Sequence, residues 1–357
     1  MNTLISICAG LLLVTPLHAD AQSTFTYRAQ VSAETTTRHV NEVSPLVPDK
    51  TVRWTDGQLF VATGAGSWER GRLKLAGGLA LSGSTGRAVT ARTREGYARI
   101  SATDGLDIEA GKRLLRWGVG YGFAPAGVLD PPRDVTDPTD RFGVNEGRPI
   151  VRADLFRGAS SLTVAAASSR TVAARARTVL PGGVEVALIA SAAEGMRPSW
   201  GGTITHVVGQ QLEWHAEVVE QQAKDARAIS AVAGVQYTFR AGVNVVLEYH
   251  RNGRGLNDAE WSATLSGSRP QGPAPGRQQF VFMRAARSAP NAVFAPEVIV
   301  ISGLDDGSLT LVPGLTWMPA GRMQIHARAT RLVGGRRSIA GVAPWTTALA
   351  LGATVRF

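Results

Sequence analysis

Hydrophobic and polar residues alternate along most of this chain with a period of two. The segment from Trp345 to Phe357 is the clearest example, with Leu349 and Leu351 on one face and Thr354 on the other. Successive side chains of a β-strand point to opposite faces, so this period predicts strands. Helical periodicity is scarce, and after the first residues there is no apolar run of the roughly 18 residues that a membrane-spanning helix needs.

Eighteen segments show the alternation, and each is closed by glycine, proline, aspartate or serine. An even count suits a closed antiparallel sheet with both termini on one side. We therefore predict an all-β protein, a transmembrane antiparallel β-barrel of about 18 strands. The apolar face switches between Arg92 and Tyr97, which indicates a β-bulge, and Asp258 to Leu265 could form a short helix. The predicted strands are 25–35, 58–68, 71–83, 87–102, 105–117, 148–158, 160–169, 171–180, 183–193, 200–208, 210–221, 228–240, 243–251, 277–286, 293–303, 308–318, 322–332 and 344–357.

The lengths of the connections alternate with the parity of the strands. Connections after even-numbered strands are short, at most six residues, while the long ones follow odd-numbered strands. Outer-membrane barrels have short periplasmic turns and long outer loops, whereas a soluble sandwich or propeller has no reason to sort its loops in this way. The long connections are 36–57, 118–147, 252–276 and 333–343.

The N-terminus resembles an export signal. The apolar run Leu4–Val14 is too short to span a bilayer, and Pro16 ends it before Ala19-Asp20-Ala21 offers small residues at the positions that a signal peptidase reads. We predict cleavage before Gln22, so that residues 1–21 are a signal peptide and residues 22–357 form the barrel. A buried N-terminal helix is the alternative.

The composition is basic and poor in cysteine. The formal net charge is +10, 34 of the 38 basic residues are arginine, and Cys8 in the signal segment is the only cysteine. The mature chain therefore has no disulfide bond. A basic exported protein can meet anionic lipid, anionic solutes or nucleic acid. Nucleic acid is not expected, because no Lys/Arg run is interleaved with aromatic residues.

Aromatic residues gather near the predicted strand ends, as the interfacial girdles of a membrane barrel do. One group lies at the periplasmic ends and the other near the outer rim. The first comprises Trp68, Phe156, Tyr237, Phe239, Trp317 and Phe357, and the second Trp54, Trp117, Trp200 and Trp345.

The alternation also assigns basic residues to the inner face. An arginine in mid-strand facing lipid would cost roughly 2–4 kcal/mol, so these residues must face the lumen. Eighteen tilted strands give a backbone diameter of roughly 35 Å, too wide for side chains alone to fill. We predict a wet, net-positive lumen, lined by Arg28, Arg72, Lys74, Arg99, Arg113, Arg152, Arg175, Arg177, Arg240, Arg322 and Arg328.

The segment RWGVGYGFAPAGVLDPPRDVTDPTDR, residues 116–141, falls in the longest connection. Its glycines do not stand between a buried strand and a helix, as a dinucleotide site requires. Its prolines forbid strand pairing, and its alternating charges suit local ion pairs. Calcium is conceivable, but the EF-hand pattern is missing. We predict that residues 118–147 fold inward as a constriction, with Trp117, Gly118, Asp130, Arg133, Asp134, Asp137, Asp140 and Arg141 as its key residues.

Little in the sequence supports catalysis or cofactor binding. His250 has Glu248 two positions away, and His215 has Glu213 and Glu217 beside it, but polar residues lining a lumen take such spacing by default. No HExxH motif and no P-loop occur. A TonB-driven transporter needs an N-terminal plug domain, for which the chain has no room. We expect no catalytic residue, no metal and no cofactor.

One segment resembles a known family. The run from Arg94 to Phe156, and especially Gly111, Lys112, Trp117 and Gly118 followed by two Asp-Pro pairs, is similar to outer-membrane barrels of the alginate-export porin type and their uncharacterised relatives. The resemblance covers about a sixth of the chain. It implies a passive channel whose arginine-lined lumen passes an anionic solute or polysaccharide.

These observations predict an outer-membrane diffusion channel that favours anions. Its expected partners are outer-membrane lipid and lipopolysaccharide, the barrel-assembly machinery through the C-terminal Phe357, and a small anionic solute or polysaccharide. The alternative is a barrel that does not transport, either a rim enzyme or an assembly component with an obstructed lumen.

Overall fold

The computed structural model describes residues 23–47, 49, 51–168, 170–223, 226–267, 276–287 and 292–357. The predicted signal peptide and its cleavage site lie outside these residues. The strands are β1 Ser23–Val40, β2 Trp54–Arg70, β3 Leu73–Ser84, β4 Arg87–Thr103, β5 Leu106–Arg113, β6 Arg148–Arg157, β7 Ser160–Ala167, β8 Thr171–Val179, β9 Val184–Ala193, β10 Ser199–Val208, β11 Leu212–Ala223, β12 Ala226–Thr238, β13 Val243–Arg251, β14 Gln279–Arg287, β15 Phe294–Gly303, β16 Ser308–Ala320, β17 Met323–Val333 and β18 Trp345–Arg356. Two helices, α1 Asp258–Leu265 and α2 Ile339–Val342, lie in connections.

The strands form one closed antiparallel barrel, as the alternation predicts. Each strand pairs with its neighbours in the chain, and β1 pairs with both β2 and β18 to close the sheet. In such a barrel all connections after odd-numbered strands lie at one end, which we call the loop end, and the others lie at the turn end. The long connections 41–53, 114–147, 252–278 and 334–344 are all at the loop end.

The two faces of the wall differ in their exposure. Tyr27 and Leu188 point outward and are 72% and 71% exposed. Ser32, Val61 and Phe282 point inward and are buried, Val61 and Phe282 completely. An inward-facing residue of a wide barrel becomes buried only when other chain segments cover it, so part of the interior is filled.

The predicted bulge is present in β4. The pairing of β3 with β4 skips Arg94, because Gly78 pairs with Glu95 and Leu79 with Thr93. The unpaired residue of a bulge is free to redirect its side chain. Here the guanidinium of Arg94 lies 3.6 Å from the carboxylate of Asp140.

The fifth strand is shorter than predicted, ending at Arg113 rather than residue 117. Gly111 has a φ of 132°, which an L-residue rarely adopts, and a side chain there would collide with the backbone oxygen of Gly96. The chain leaves the wall two residues later. The predicted rim position of Trp117 is therefore wrong, since its side chain is 4% exposed inside the barrel.

The connections of the loop end join one another on one side of the mouth. Asn41 donates to the carbonyl oxygens of Gly341 and Ala343, and the backbone amide of Ile339 donates to Asp306. The helix α1, predicted as a possibility, begins at a capping box formed by Asn257 with Glu260. No helix in the described ranges is both long and apolar enough to cross a bilayer.

Candidate pore and its inserted connection

Residues 114–147, which we call the inserted connection, enter the barrel and contact inward faces on opposite sides of the wall. At its start Leu115 and Trp117 belong to one buried cluster with Ile150 of β6 and Ala165 of β7. Farther along, Tyr121, Phe123 and Val135 pack against a second cluster, formed by Val246, Phe282, Ile299 and Val312 on β13 to β16. Apolar packing thus holds the connection at both β6–β7 and β13–β16.

Two glutamates of the wall hold the main chain of the inserted connection. The backbone amide of Val119 donates to Oε2 of Glu217 on β11 over 2.8 Å. Those of Tyr121 and Gly122 donate to the two oxygens of Glu248 on β13, at 2.8 Å for Gly122. These carboxylates therefore fix the backbone rather than side chains of the connection.

Glycine is required in this stretch because the wall is close. A β-carbon at Gly122 would lie 2.8 Å from the ring of Phe282. One at Gly118 would lie 2.6 Å from Ala124 and 3.2 Å from Glu217. The glycine spacing that suggested a phosphate loop in the sequence thus permits close contact with the barrel wall.

Glu248 is itself held by a histidine two strands away. Nε2 of His215 on β11 lies 2.8 Å from Oε1 of Glu248 on β13. Gly234 of β12 stands between them in the pairing register and has no side chain to block the contact. The ring of Phe123 stacks on His250 with 4.1 Å between ring centroids. Histidines that the sequence raised as weak catalytic candidates therefore support the inserted connection.

The same arrangement recurs six strands farther round the barrel. Nε2 of His326 on β17 lies 3.2 Å from Oε2 of Glu34 on β1, with Gly352 of β18 between them. Glu34 also accepts a hydrogen bond of 3.1 Å from the guanidinium of Arg141 in the inserted connection. The ring of Phe142 meets His326 edge-on. We call the two arrangements, His215–Gly234–Glu248 and His326–Gly352–Glu34, the histidine–glutamate rungs.

Further contacts attach the end of the inserted connection to neighbouring strands. The guanidinium of Arg328 on β17 donates to the carbonyl oxygen of Thr136. Nε2 of Gln30 on β1 donates to the carbonyl oxygen of Arg141 over 3.1 Å. Of the aspartates at this end, Asp140 pairs with Arg94 of the wall, whereas Asp137 lies 3.6 Å from Arg141 within the connection.

Other charged residues of the connection stabilise its own shape. Asp130 is buried, accepts the backbone amides of Trp117 and Gly118, and lies 3.7 Å from Arg133. The guanidinium of Arg133 donates to carbonyl oxygens of the glycine-rich stretch, including that of Gly120. Asp134 accepts from the amide and the hydroxyl of Thr136, as a turn-forming aspartate does.

Two carboxyl groups of the connection have raised pKa values. Burial raises the pKa of Asp130 above its ordinary value, against the opposing effect of the backbone amide of Trp117. Burial likewise raises the pKa of Asp137, against the opposing charges of Arg141 and Arg328. Asp137 is thus a group whose charge changes at a higher pH than that of a free aspartate.

Three of the basic residues predicted to line the lumen are not on strands. Arg72 and Arg322 lie in two-residue turns at the turn end, and Arg240 lies in the turn after β12. The predicted strands were too long at these ends, where each turn contains a glycine. Arg72 pairs instead with Asp104 of the next turn, 2.9 Å away.

The other predicted basic residues are on the inner face, and most are paired with carboxylates. Glu109 contacts both Arg113 and Arg152, at 3.3 and 3.5 Å. Glu185 contacts both Arg175 and Arg177, at 3.4 and 2.6 Å. Arg99 lies 3.3 Å from Asp107, and Lys74 lies 3.3 Å from Glu69. This pairing largely cancels the net-positive wall that the sequence predicted.

Arg28 is an exception to this pairing with carboxylates, and so is Arg356, which was not among the residues predicted to line the lumen. Both are exposed on the inward face, where Gln30 of β1 pairs with Arg356 of β18. Among the described residues neither is paired with a carboxylate. The interior near the turn end thus holds two solvated guanidinium groups.

The sequence reasoning missed several inward-facing acids, namely Glu34, Glu95, Glu185 and Glu297. The alternation contained the signal for Glu34, which has the same parity as Arg28 and Gln30. The predicted first strand ended one residue after Glu34, so its partners could not be assigned. In the structure Glu95 pairs with Arg113, and Glu297 with Arg284.

A metal site has no structural support in the described residues, where no three His, Cys, Asp or Glu side chains group as ligands. The aspartates that suggested calcium have other partners. Asp130 and Asp134 accept hydrogen bonds from the backbone amides of Trp117 and Thr136, and Asp137 and Asp140 pair with Arg141 and Arg94.

Comparisons with known proteins identify the architecture. No family model and no curated protein matches the sequence. A structure of an engineered variant of the Rhodopseudomonas blastica porin superimposes with a TM-score of 0.53 at 11% identity, covering 94% of this chain and 100% of that one. Another solved structure, described as "Asymmetric conductivity of engineered proteins", gives a TM-score of 0.52 at 11% identity over the same coverage. The fold is that of a porin.

This porin fold does not by itself define a subfamily. The Rhodopseudomonas blastica porin variants are only 10 to 12% identical to this chain, and the resemblance to alginate-export barrels stays a prediction.

Proposed function

We propose that this porin-like barrel is an outer-membrane diffusion channel of a Gram-negative-type bacterium, narrowed by its inserted connection. The observation that carries the proposal is the attachment of residues 114–147 to both Glu248 on β13 and Glu34 on β1, which are six strands apart in the closed barrel. A segment held across the interior sets the size and charge of any path that remains. Charged side chains near a constriction determine which ions pass.

The loop end would face the outside of the cell, since outer-membrane barrels place long loops there and short turns in the periplasm. The exposed Phe25, Phe294 and Trp317 near the turn end would then lie at the periplasmic interface. Outer-membrane lipid and lipopolysaccharide would surround the barrel. The barrel-assembly machinery would recognise the C-terminal Phe357.

We further propose that the channel favours anionic solutes, including a polyanionic saccharide. Paired arginines of the wall contribute little net field, so the preference would come from Arg28 and Arg356. Both guanidinium groups are exposed to the interior. Arginine binds carboxylate and phosphate oxygens through two parallel hydrogen bonds, which suits such solutes.

Planar-bilayer recording of the refolded protein tests this function. We expect discrete conductance steps, and a reversal potential in a salt gradient that reports anion preference. Heat-modifiable migration on a gel shows beforehand that the barrel has folded. Folded protein without conductance would refute the channel, whereas conductance with cation preference would refute only the selectivity.

A second candidate, a barrel with an obstructed lumen and a structural role, rests on the dry cluster inside the wall. Phe282 is completely buried and Ile299 and Val312 are 1% exposed, although all three face inward. If the connection closes the lumen, the wild-type protein will not conduct. A variant with both Glu34→Ala and Glu248→Ala would then conduct, because both attachments are released.

A further inference from the structure

A broad apolar depression of about 940 Å³ lies on the outside of the barrel across β6 to β12. We call it the outer groove. Its lining combines larger outward-facing residues, such as Leu162, Val218 and the 71% exposed Leu188, with small ones. We call the small residues the floor; they are Ala176, Gly202, Ala216, Ala231 and Ala233.

One edge of the outer groove is polar. Arg157 at the end of β6 pairs with Ser160 of β7, which pairs with Thr178 of β8, so the three residues form a row near the turn end. The hydroxyl groups of Ser160 and Thr178 are 2.9 Å apart and exposed. Arg157 is exposed too, and it forms no ion pair with any described carboxylate.

We propose that the outer groove binds one glycerophospholipid of the periplasmic leaflet. The acyl chains lie over the small residues of the floor, and the phosphate binds the guanidinium of Arg157. The hydroxyl groups of Ser160 and Thr178 supply further hydrogen bonds to the phosphate oxygens. Basic groups at the membrane surface bind lipid headgroups in this way. The inference rests on the proposed outer-membrane location and on the turn end facing the periplasm.

The charge at the edge favours lipid over a second copy of the chain. A copy that docked through its own outer groove would have to bring a carboxylate from the same strands to Arg157, because burying an unpaired charge is costly. Among the outward-facing positions of β6 to β12 that the structure describes, only Glu220 is acidic. It lies near the loop end of β11, whereas Arg157 lies at the turn end of β6.

The pattern of side-chain size agrees with acyl chains. Gly202 and Ala216 give space on β10 and β11, while Leu188 of β9 stands above them. A β-carbon at Gly202 would lie 3.0 Å from the carbonyl oxygen of Ala187 and 3.7 Å from Cδ2 of Leu188, so Leu188 lies against the bare backbone of β10.

Native mass spectrometry of the full-length protein, extracted in detergent and incubated with dioleoylphosphatidylglycerol, tests the proposal. We expect one lipid to remain bound to the wild-type barrel. Ala231→Leu fills the floor and Arg157→Gln removes the phosphate partner, and each should lower the bound fraction about tenfold. The matched controls are Ala353→Leu, on the outward face of β18, and Arg240→Gln, in another turn at the same end.

Equal retention by all variants would overturn the proposal, as would a wild-type protein that retains no lipid. A lipid-free oligomer that Ala231→Leu dissociates would identify a second copy as the occupant, and would also overturn it. Heat-modifiable migration confirms that each variant has folded. Arg157→Gln should conduct like the wild type, so a failure of lipid binding is distinct from a failure of the channel.

Discussion

His326 of β17 reaches across β18 to place its Nε2 3.2 Å from the carboxylate of Glu34 on β1. His215 and Glu248 repeat this relationship across β12 at 2.8 Å. In each case the intervening strand presents glycine, and the glutamate holds the inserted connection. The two histidine–glutamate rungs therefore support this connection from two parts of the wall that are six strands apart.

The glycines of the rungs should be intolerant of a side chain. A β-carbon at Gly234 would lie 2.6 Å from the His215 ring and 2.7 Å from Cγ of Glu248. We expect Gly234→Ala to destabilise the barrel by about 1–3 kcal/mol, the usual cost of overpacking. The temperature at which gel migration changes measures this. Gly77→Ala is the control, because nothing lies within 4 Å of its added carbon, and an equal shift in both variants would contradict the prediction.

Removing the carboxylate of Glu34 should loosen the end of the inserted connection. Glu34→Ala leaves Arg141 and His326 without their shared acceptor, a loss of about 1.5–3 kcal/mol for a hydrogen bond to a charged group. We expect larger and noisier single-channel conductance. Asp56→Asn, on the outward face of β2, is the control. A Glu34→Ala channel with wild-type conductance and noise would show that Arg141 does not hold the connection.

Asp137 should make the ion selectivity depend on pH. Its pKa is raised by burial, so it becomes neutral as the pH falls through a value above that of a free aspartate. Loss of this negative charge should increase anion preference by about twofold, equivalent to roughly 0.4 kcal/mol. Reversal potentials between pH 8 and pH 4 measure the change.

Asp137→Asn is the matched variant for this titration. It should show the higher anion preference already at pH 8 and lose part of the pH dependence. Asp134→Asn should have a smaller effect on the selectivity, because Asp134 accepts a hydrogen bond from the backbone amide of Thr136 and forms no ion pair with the described residues. If Asp134→Asn and Asp137→Asn change the ion selectivity equally, the pH dependence does not come from the carboxylate of Asp137.

Arg28 and Arg356 should carry the anion preference. The double variant Arg28→Gln/Arg356→Gln removes two solvated charges from the interior and should move the reversal potential toward cation selectivity. Arg72→Gln is the control, since Arg72 is in a turn and is paired with Asp104. A larger shift in the control than in the double variant would place the selective charges elsewhere.

The sequence by itself determined the barrel. Period-two alternation indicates which face of a strand is apolar. The sorting of long loops to odd-numbered strands indicates which strand ends lie at the same end of the barrel. Both are local properties of the chain, so all eighteen strands, the bulge near Arg94 and the helix α1 could be predicted. Strand ends were less certain, which is why Arg72, Arg240 and Arg322 were assigned to the lumen.

Only the tertiary structure decided the partners of the inward-facing residues. Glu34 and His326 are 292 positions apart in the chain, and Glu248 meets Tyr121 across 127 positions. No local period encodes such contacts, because they depend on closure of the sheet and on the path of the inserted connection. For the same reason the sequence predicted a basic wall, whereas the structure pairs most of its arginines with acids on neighbouring strands.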